Sequence, residues 1–248
     1  MIDIKFQLRR FVGRSPALYS AVQCFLRARP YQMVTEKTVM CLEGYPRSAN
    51  TFSLNLVRGA LIEHFPIFFS THAERLVAHH THRIATIKAA RRHGIPTLVL
   101  LRSPNEAIPS RVVRESGTAH QEQRVLIRRD LKEYEDYYDY VSGHDDIQVI
   151  RFETVVGEPQ TFVEFALDCI GLELPEDFEI DSVHEFAVDS IEHWADKQMN
   201  HTALTENFST EEKERQKVQV REKIKRRYPN ALRRVRSLYL SLAQNARI

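Results

Sequence analysis

Apolar residues recur along this chain in two rhythms. Short unbroken runs, bounded by charged, Gly or Pro residues, read as strands buried on both faces over residues 38–43, 76–80, 97–102 and 147–152. Between them the apolar positions fall three or four apart, as in Leu54, Val57, Ala60 and Leu61, which predicts helices near 51–64, 83–93, 105–115, 119–142 and 159–170. This alternation specifies an α/β fold with a central, mostly parallel sheet and helices on both faces. Ligands of that architecture sit beyond the carboxyl ends of the strands. Further on, Ser209-Thr210-Glu211-Glu212 reads as a capping box, with Ser209 as N-cap and Glu212 at N3, opening a helix that runs to about Arg227 and stops at Pro229. Leu232, Val235, Leu238 and Leu242 mark the apolar face of a second helix, so a helical hairpin occupies about 205–245.

Polar chemistry concentrates in the link between the first strand and the first helix, Gly44-Tyr45-Pro46-Arg47-Ser48-Ala49-Asn50-Thr51-Phe52. Strand, tight loop and helix make an anion cradle, because the N–H groups of the first helical turn are unpaired and the positive end of the helix dipole lies behind them. Arg47, Ser48, Asn50 and Thr51 add side-chain donors. Against the pattern G-x-x-x-x-G-K-[ST] of a P-loop, the segment matches at Gly44 and Thr51 but has Ala49 for the second glycine and Asn50 for the lysine. A helical rather than a positive φ is expected at Ala49. With Arg47 as its cation and no lysine, the loop suits an anion other than the usual triphosphate. The expected fold is therefore P-loop NTPase-like, in three layers.

A second anion signal ends the strand at 97–102, which terminates in Arg102. After Ser103-Pro104 a short helix is expected, and Ser110, eight residues past Arg102, lies where its hydroxyl reaches back to the same ligand. Two cationic clamps at the ends of two parallel strands suit a ligand with two separated anionic groups.

Pro46-Arg47-Ser48-Ala49-Asn50-Thr51-Phe52 resembles the sulfate-binding loop of the sulfotransferases that use 3'-phosphoadenosine 5'-phosphosulfate (PAPS), and Arg102 with Ser110 resembles their 3'-phosphate motif. A third match is Val149-Ile150-Arg151-Phe152-Glu153-Thr154-Val155, followed by Pro159, Phe162-Val163-Glu164-Phe165-Ala166 and Ile170-Gly171-Leu172, which looks like that family's strand, acidic turn and glycine-capped helix. The resemblance spans about residues 38–175. Three departures stand out: Arg47 replaces the commoner Lys, Ala49 the usual Gly, and Phe52 an aromatic that is often Trp. The Gly-x-x-Gly-x-Trp-Lys element of many cytosolic members is not present.

The resemblance implies a catalytic base, since transfer of a sulfuryl group to an alcohol releases the hydroxyl proton, and a neutral imidazole suits that task. Leu76-Val77-Ala78-His79-His80-Thr81-His82 is the densest histidine cluster of the chain and reads as a strand leading into the helix at 83–93. The family's catalytic His follows a Thr at a strand's end, as His82 follows Thr81. If the strand persists through the cluster, His80 and His82 share a face and His79 points away. His82 is the first candidate base and His80 the second. Two His at i, i+2 also fit a metal, but a third ligand with suitable spacing is missing, so no metal is expected.

Composition sets bounds on this picture. At 248 residues with 43% hydrophobic content, and with no long linker, the chain reads as one domain over 1–248 with its motif-bearing core at about 38–175. No apolar run approaches the roughly 20 residues that cross a membrane, and Arg9, Arg10 and Arg14 break up any signal-like segment. Cys24, Cys41 and Cys169 have no metal-ligand spacing and read as reduced thiols, so a cytoplasmic location is expected. The net charge of +2 hides an uneven distribution, with residues 1–30 at +5, residues 209–248 at +8, and thirteen acids without a Lys or Arg from Phe152 to Asp196. That acidic section reads either as solvated helix surface or as a border of the acceptor site that repels polyanions. The basic hairpin lacks the aromatic interleaving of stacking platforms, so no nucleic-acid partner is expected.

The activity so implied is sulfuryl transfer from PAPS, with 3',5'-ADP as product and no metal, to a hydroxyl or amine of a small-molecule or glycan acceptor. Arg47, Ser48, Ala49, Asn50, Thr51, Phe52, Arg102 and Ser110 would bind the donor, while His82, Arg47 and His80 would serve the reaction. Two alternatives remain open at this stage: a P-loop-type nucleotide-dependent kinase and a noncatalytic nucleotide-binding module. Oligomeric state and acceptor are not encoded in any motif of the chain.

Overall fold

Four short strands run parallel in the order β2-β1-β3-β4: β1 (Met40–Gly44), β2 (Val77–His79), β3 (Thr97–Leu101) and β4 (Ile147–Arg151). Leu42 lies opposite both Leu98 and His79, and Val99 opposite Val149. The computed structural model describes residue 7 and residues 11–25, 33–65, 76–118, 123–197 and 210–248. Ten helices are defined among these: α1 (Pro16–Phe25), α2 (Asn50–His64), α3 (Ile84–Arg92), α4 (Pro104–Thr118), α5 (Gln123–Ser142), α6 (Phe152–Gly157), α7 (Pro159–Asp168), α8 (Ile180–Lys197), α9 (Glu211–Arg227) and α10 (Pro229–Gln244).

The apolar runs form strands because both faces of the sheet are covered. Val99 and Leu101 join one core with residues of α3, α4, α5, α9 and α10, whereas Leu98 and Leu100, pointing the other way, join a second core with α2, α7 and α8. This is the three-layer α/β fold expected from the sequence, with the C-terminal helical hairpin added to one face. The tyrosines of α5 do more than fill volume: Tyr134 Oη donates to Arg102 O at 2.8 Å and Tyr138 Oη to Leu100 O at 2.7 Å, so the end of β3 is pinned to the helix beside it.

Several expectations need correction. The helix after Arg102 is not short, since α4 continues for 15 residues through Pro109. Proline removes an N–H, which orphans the carbonyl of Asn105 four residues earlier. Arg221 of α9 replaces the lost donor, with Nε 3.0 Å from Asn105 O and Nη2 2.7 Å from Glu106 Oε2, while Arg236 of α10 holds Asn105 Oδ1 at 3.0 and 2.8 Å. The N-cap of α9 is Thr210, whose side chain accepts from Lys213 N; Ser209 lies outside the described residues. The acidic turn after β4 is the helix α6, and α1 and α8 were not among the expected elements. Gly171, at φ 72, ends α7 in a Schellman motif, with Leu172 N bonded to Leu167 O and Gly171 N to Asp168 O. Cys41 and Cys169 are free thiols, and the side chain of Cys24 lies outside the described residues.

The latch between hairpin and α4 leads to a stability prediction. Arg221→Met removes charged hydrogen bonds to Asn105 and Glu106 and leaves a carbonyl unpaired, which costs on the order of 1–3 kcal/mol. Urea unfolding should show a lower midpoint at unchanged slope; an unchanged midpoint would mean that the latch adds nothing to stability.

Candidate functional site

The loop between β1 and α2 runs hard against β3. A side chain at Gly44 would meet Asn50 Oδ1 at 2.9 Å and the Cβ and carbonyl of Leu100 at 3.0 Å, so the first loop glycine is required by close approach. Asn50 turns inward, its Nδ2 donating to Tyr45 O at 3.1 Å, and Ser53 closes the first turn on Ala49 O through both N and Oγ. Ser48 is fully buried. Of the loop side chains proposed as donors, Arg47 and Thr51 remain accessible. Ala49 does not take a helical φ. It sits at φ 63 and ψ 21, the left-handed region that the glycine of the pattern occupies at no steric cost, and Arg47 has φ 73. The two left-handed residues turn the chain abruptly into α2. Phe52 packs edge-on against His184 of α8, with ring centroids 5.5 Å apart.

The two predicted clamps converge. Arg47 Nε donates to Ser110 Oγ at 3.2 Å, and Arg102 Nη1 donates to Arg47 O at 2.7 Å. The guanidinium of Arg102 lies over the Phe152 ring, 4.1 Å from its centroid, while its Nε is buried without a partner among the described residues. Burial draws this guanidinium below its ordinary pKa range, though Arg keeps its charge at neutral pH. An unpaired buried N–H on a cation fits an anionic ligand. Behind the loop, Arg111 stacks on Tyr45 and joins Glu115, Arg129, Asp130 and Glu133 in a buried charge network.

The histidines occupy the end of β2. The strand stops at His79, and His80 and His82 both have positive φ, 57 and 52, so the alternation that would turn His79 away does not hold. His79 Nδ1 lies 2.5 Å from His80 Nδ1, and His80 Nε2 lies 2.9 Å from Thr51 Oγ1. His82 Nδ1 is 2.7 Å from Gly44 O. A carbonyl only accepts, so His82 carries its proton on Nδ1 and leaves Nε2 with a bare lone pair, the form a proton acceptor needs. Burial pushes His79, His80 and His82 down to about 2, 4 and 3, with the neighbouring His and Arg charges adding to the shift at His79 and His82.

One residue of this site was not among the sequence candidates. Glu43, the last side chain of β1 before the loop, is wholly buried and accepts hydrogen bonds from Thr81 and His82. The signal was present: a carboxylate inside an otherwise apolar strand run, at its carboxyl end. A cavity of about 40 Å³ beside the loop is lined by residues including Tyr45, Pro46, His82, Arg83, Glu133 and Asp136. Among the described residues no three His, Cys, Asp or Glu side chains are disposed to hold a metal ion, and no helix is long and apolar enough to cross a membrane.

Compared with solved structures, the chain is similar to the crystal structure of mouse sulfotransferase SULT7A1 complexed with PAP. The match has 10% sequence identity and a TM-score of 0.49, and it covers 84% of this chain and 91% of that one. No protein-family model matches the chain, and no curated protein matches it.

Two predictions arise here. Left-handed backbone at a non-glycine residue costs roughly 1–2 kcal/mol, partly offset by the greater unfolded-state freedom of glycine, so Ala49→Gly should stabilise the protein by about 1 kcal/mol in urea unfolding. A destabilised Ala49→Gly would show that the methyl group contributes packing that outweighs the strain. The second concerns pH. The folded imidazoles titrate far below their unfolded value near 6.5, so the stability they supply is complete above pH 6.5 and is lost progressively as pH falls from there through about 4, 3 and 2 for His80, His82 and His79. Ring ¹⁵N spectra should show none of the three protonating between pH 8 and 5. Over the same range His79→Asn should lose less stability than the wild type.

Proposed function

We propose that this chain is a PAPS-dependent sulfotransferase acting on a hydroxyl or amine of a small-molecule or glycan acceptor. The observation that carries this reading is the meeting of the two anion clamps, in which Arg47 bonds Ser110 across 63 residues and Arg102 bonds the Arg47 carbonyl across 55. In the proposed arrangement the 5'-phosphosulfate lies in the loop at residues 46–52, and the 3'-phosphate lies against Arg102 and Ser110. Arg47, freed from Ser110, and the N–H groups of α2 stabilise charge on the transferring group and the departing phosphate. His82 accepts the acceptor's proton on Nε2 during in-line displacement at sulfur. Its resting basicity is low because the ring is desolvated; a polyanion bound beside it favours the imidazolium and offsets that effect.

Asn50 argues against the kinase alternative, because its amide is committed to Tyr45 O and no cation stands where a triphosphate loop has its lysine. Calorimetry tests both readings at once. Tight binding of 3',5'-ADP in the absence of metal is expected, and preference for ATP with Mg²⁺ would overturn the proposal. Arg102→Ala should weaken 3',5'-ADP by on the order of 1.5–3 kcal/mol while 5'-AMP changes little, since one charged hydrogen-bond set to the 3'-phosphate is lost. Equal losses for the two nucleotides would remove the 3'-phosphate assignment. His82→Ala should leave 3',5'-ADP affinity nearly intact and lower turnover of PAPS with an acceptor by about 10² to 10⁴-fold.

A further inference from the structure

The carboxylate of Glu43 is held chiefly by one short segment, Thr81 and His82, with the backbone N–H of Gly44 adding to it. Oε1 accepts from Thr81 N at 2.9 Å and Thr81 Oγ1 at 2.8 Å, and Oε2 accepts from His82 N at 2.9 Å. Thr81 Oγ1 is further tied to Thr86 Oγ1 of α3 at 2.7 Å. Directly after Glu43 in β1, Gly44 O takes the Nδ1–H of His82 at 2.7 Å. Two consecutive residues of one strand thus hold His82 by its backbone and by its ring. The segment needs holding, since His80 and His82 both carry left-handed backbone, which persists only where the surroundings over-determine it.

We propose that Glu43 is the positioning residue of this site: its ionised carboxylate locks the left-handed turn at residues 80–82 and thereby keeps His82 in the Nδ1–H tautomer, with Nε2 free to take a proton. The proposal rests on the reading of His82 as the base. Both carboxylate oxygens already accept, so protonating one sets an O–H against an N–H or O–H that points at it, and the lock weakens. Burial pushes the Glu43 carboxyl up to about 7, against the hydrogen bonds from Thr81, His82 and Gly44 that favour its charged form. The other titratable groups facing it are Cys41 of β1 and Tyr137 of α5, both pushed up by burial and neutral in this range, and the imidazole of His82, pushed down and also neutral. In the ligand-free protein the histidine does not titrate near pH 7, so an acid limb of kcat/KM there belongs to Glu43.

The test uses the full chain and reads ¹⁵N spectra from pH 5 to 9 together with turnover of PAPS. In the wild type the amide signals of Thr81 and His82 should shift together with one midpoint near 7, while the His82 ring stays neutral. Glu43→Gln should abolish that midpoint, spread His82 over both tautomers, remove the acid limb, and lower kcat by about 10- to 100-fold with the Kd of 3',5'-ADP changed less than about threefold. Wild-type amides that do not titrate, or a Glu43→Gln enzyme with full turnover and an intact acid limb, would overturn the proposal. Should Glu43→Gln fail to fold, Thr81→Val removes one donor to the ionised form and should move the His82 amide midpoint to higher pH; an unmoved midpoint also overturns it. A wild type that neither binds 3',5'-ADP nor turns over PAPS would sink the sulfotransferase reading while leaving the amide titration to decide on Glu43, so the two claims fail separately.

Discussion

The contact between Gly44 and Leu100 governs the rest of the site. β1 and β3 are parallel neighbours, and where β1 gives way to the loop the chain passes so near Leu100 that a Cβ at residue 44 would lie 3.0 Å from both its side chain and its carbonyl. Because the loop leaves the sheet over the end of β3, the carbonyl of Arg47 comes within reach of Arg102, the residue just after β3, and the Arg47 side chain within reach of Ser110 on the following helix. A side chain at residue 44 would lift the loop and part the clamps together. Two groups far apart in sequence, both proposed as anion clamps, therefore depend on one missing methyl group.

Around this contact the arginines divide by what satisfies them. Arg111 and Arg129 are paired with Glu115, Asp130 and Glu133, so their charge is neutralised within a buried network that stiffens α4 and α5 behind the loop. Arg102 makes no salt bridge among the described residues; a backbone carbonyl and the face of Phe152 hold it, and one N–H stays unpaired. Carbonyls and rings orient a guanidinium without cancelling its charge. Removing a cation from water in this way is costly, and an anion bound beside it would offset that cost.

Much of this was legible in the sequence. The four strands and the helices between them follow from unbroken apolar runs and from 3.6-residue spacing, because both faces of a parallel sheet must be buried and each helix must cover one of them. The loop, Arg102 and Ser110 could be singled out because residue types suited to an anion recur there at short offsets, and the structure brings them together. What could not be read is backbone conformation carried by the wrong residue types. Left-handed φ is looked for at glycine, yet here it falls on Arg47, Ala49, His80 and His82, and so the helical φ assigned to Ala49 and the strand continued through His80 were mistaken. Glu43 was passed over for a related reason: its importance lies in donors 38 and 39 residues away, a pairing that no local pattern encodes. The Asn105 carbonyl orphaned by Pro109, and its rescue by Arg221 116 residues after Asn105, is the same kind of long-range pairing.

Those four left-handed residues lie at the carboxyl ends of β1 and β2. At roughly 1–3 kcal/mol each, their combined strain is comparable with a sizeable part of the 5–15 kcal/mol by which whole domains are stable. Strain of that size survives only if relaxing it breaks something stronger. For the loop, relaxation would break Asn50 from Tyr45 and Ser53 from Ala49; for the histidine turn, it would strip the buried carboxylate of Glu43 of its donors from Thr81 and His82. A buried carboxylate stripped of its hydrogen bonds is among the most unfavourable states a protein interior offers. The turn at residues 80–82 is therefore held by the desolvation that Glu43 would otherwise suffer, and the same three hydrogen bonds that keep the charge tolerable keep His82 in place.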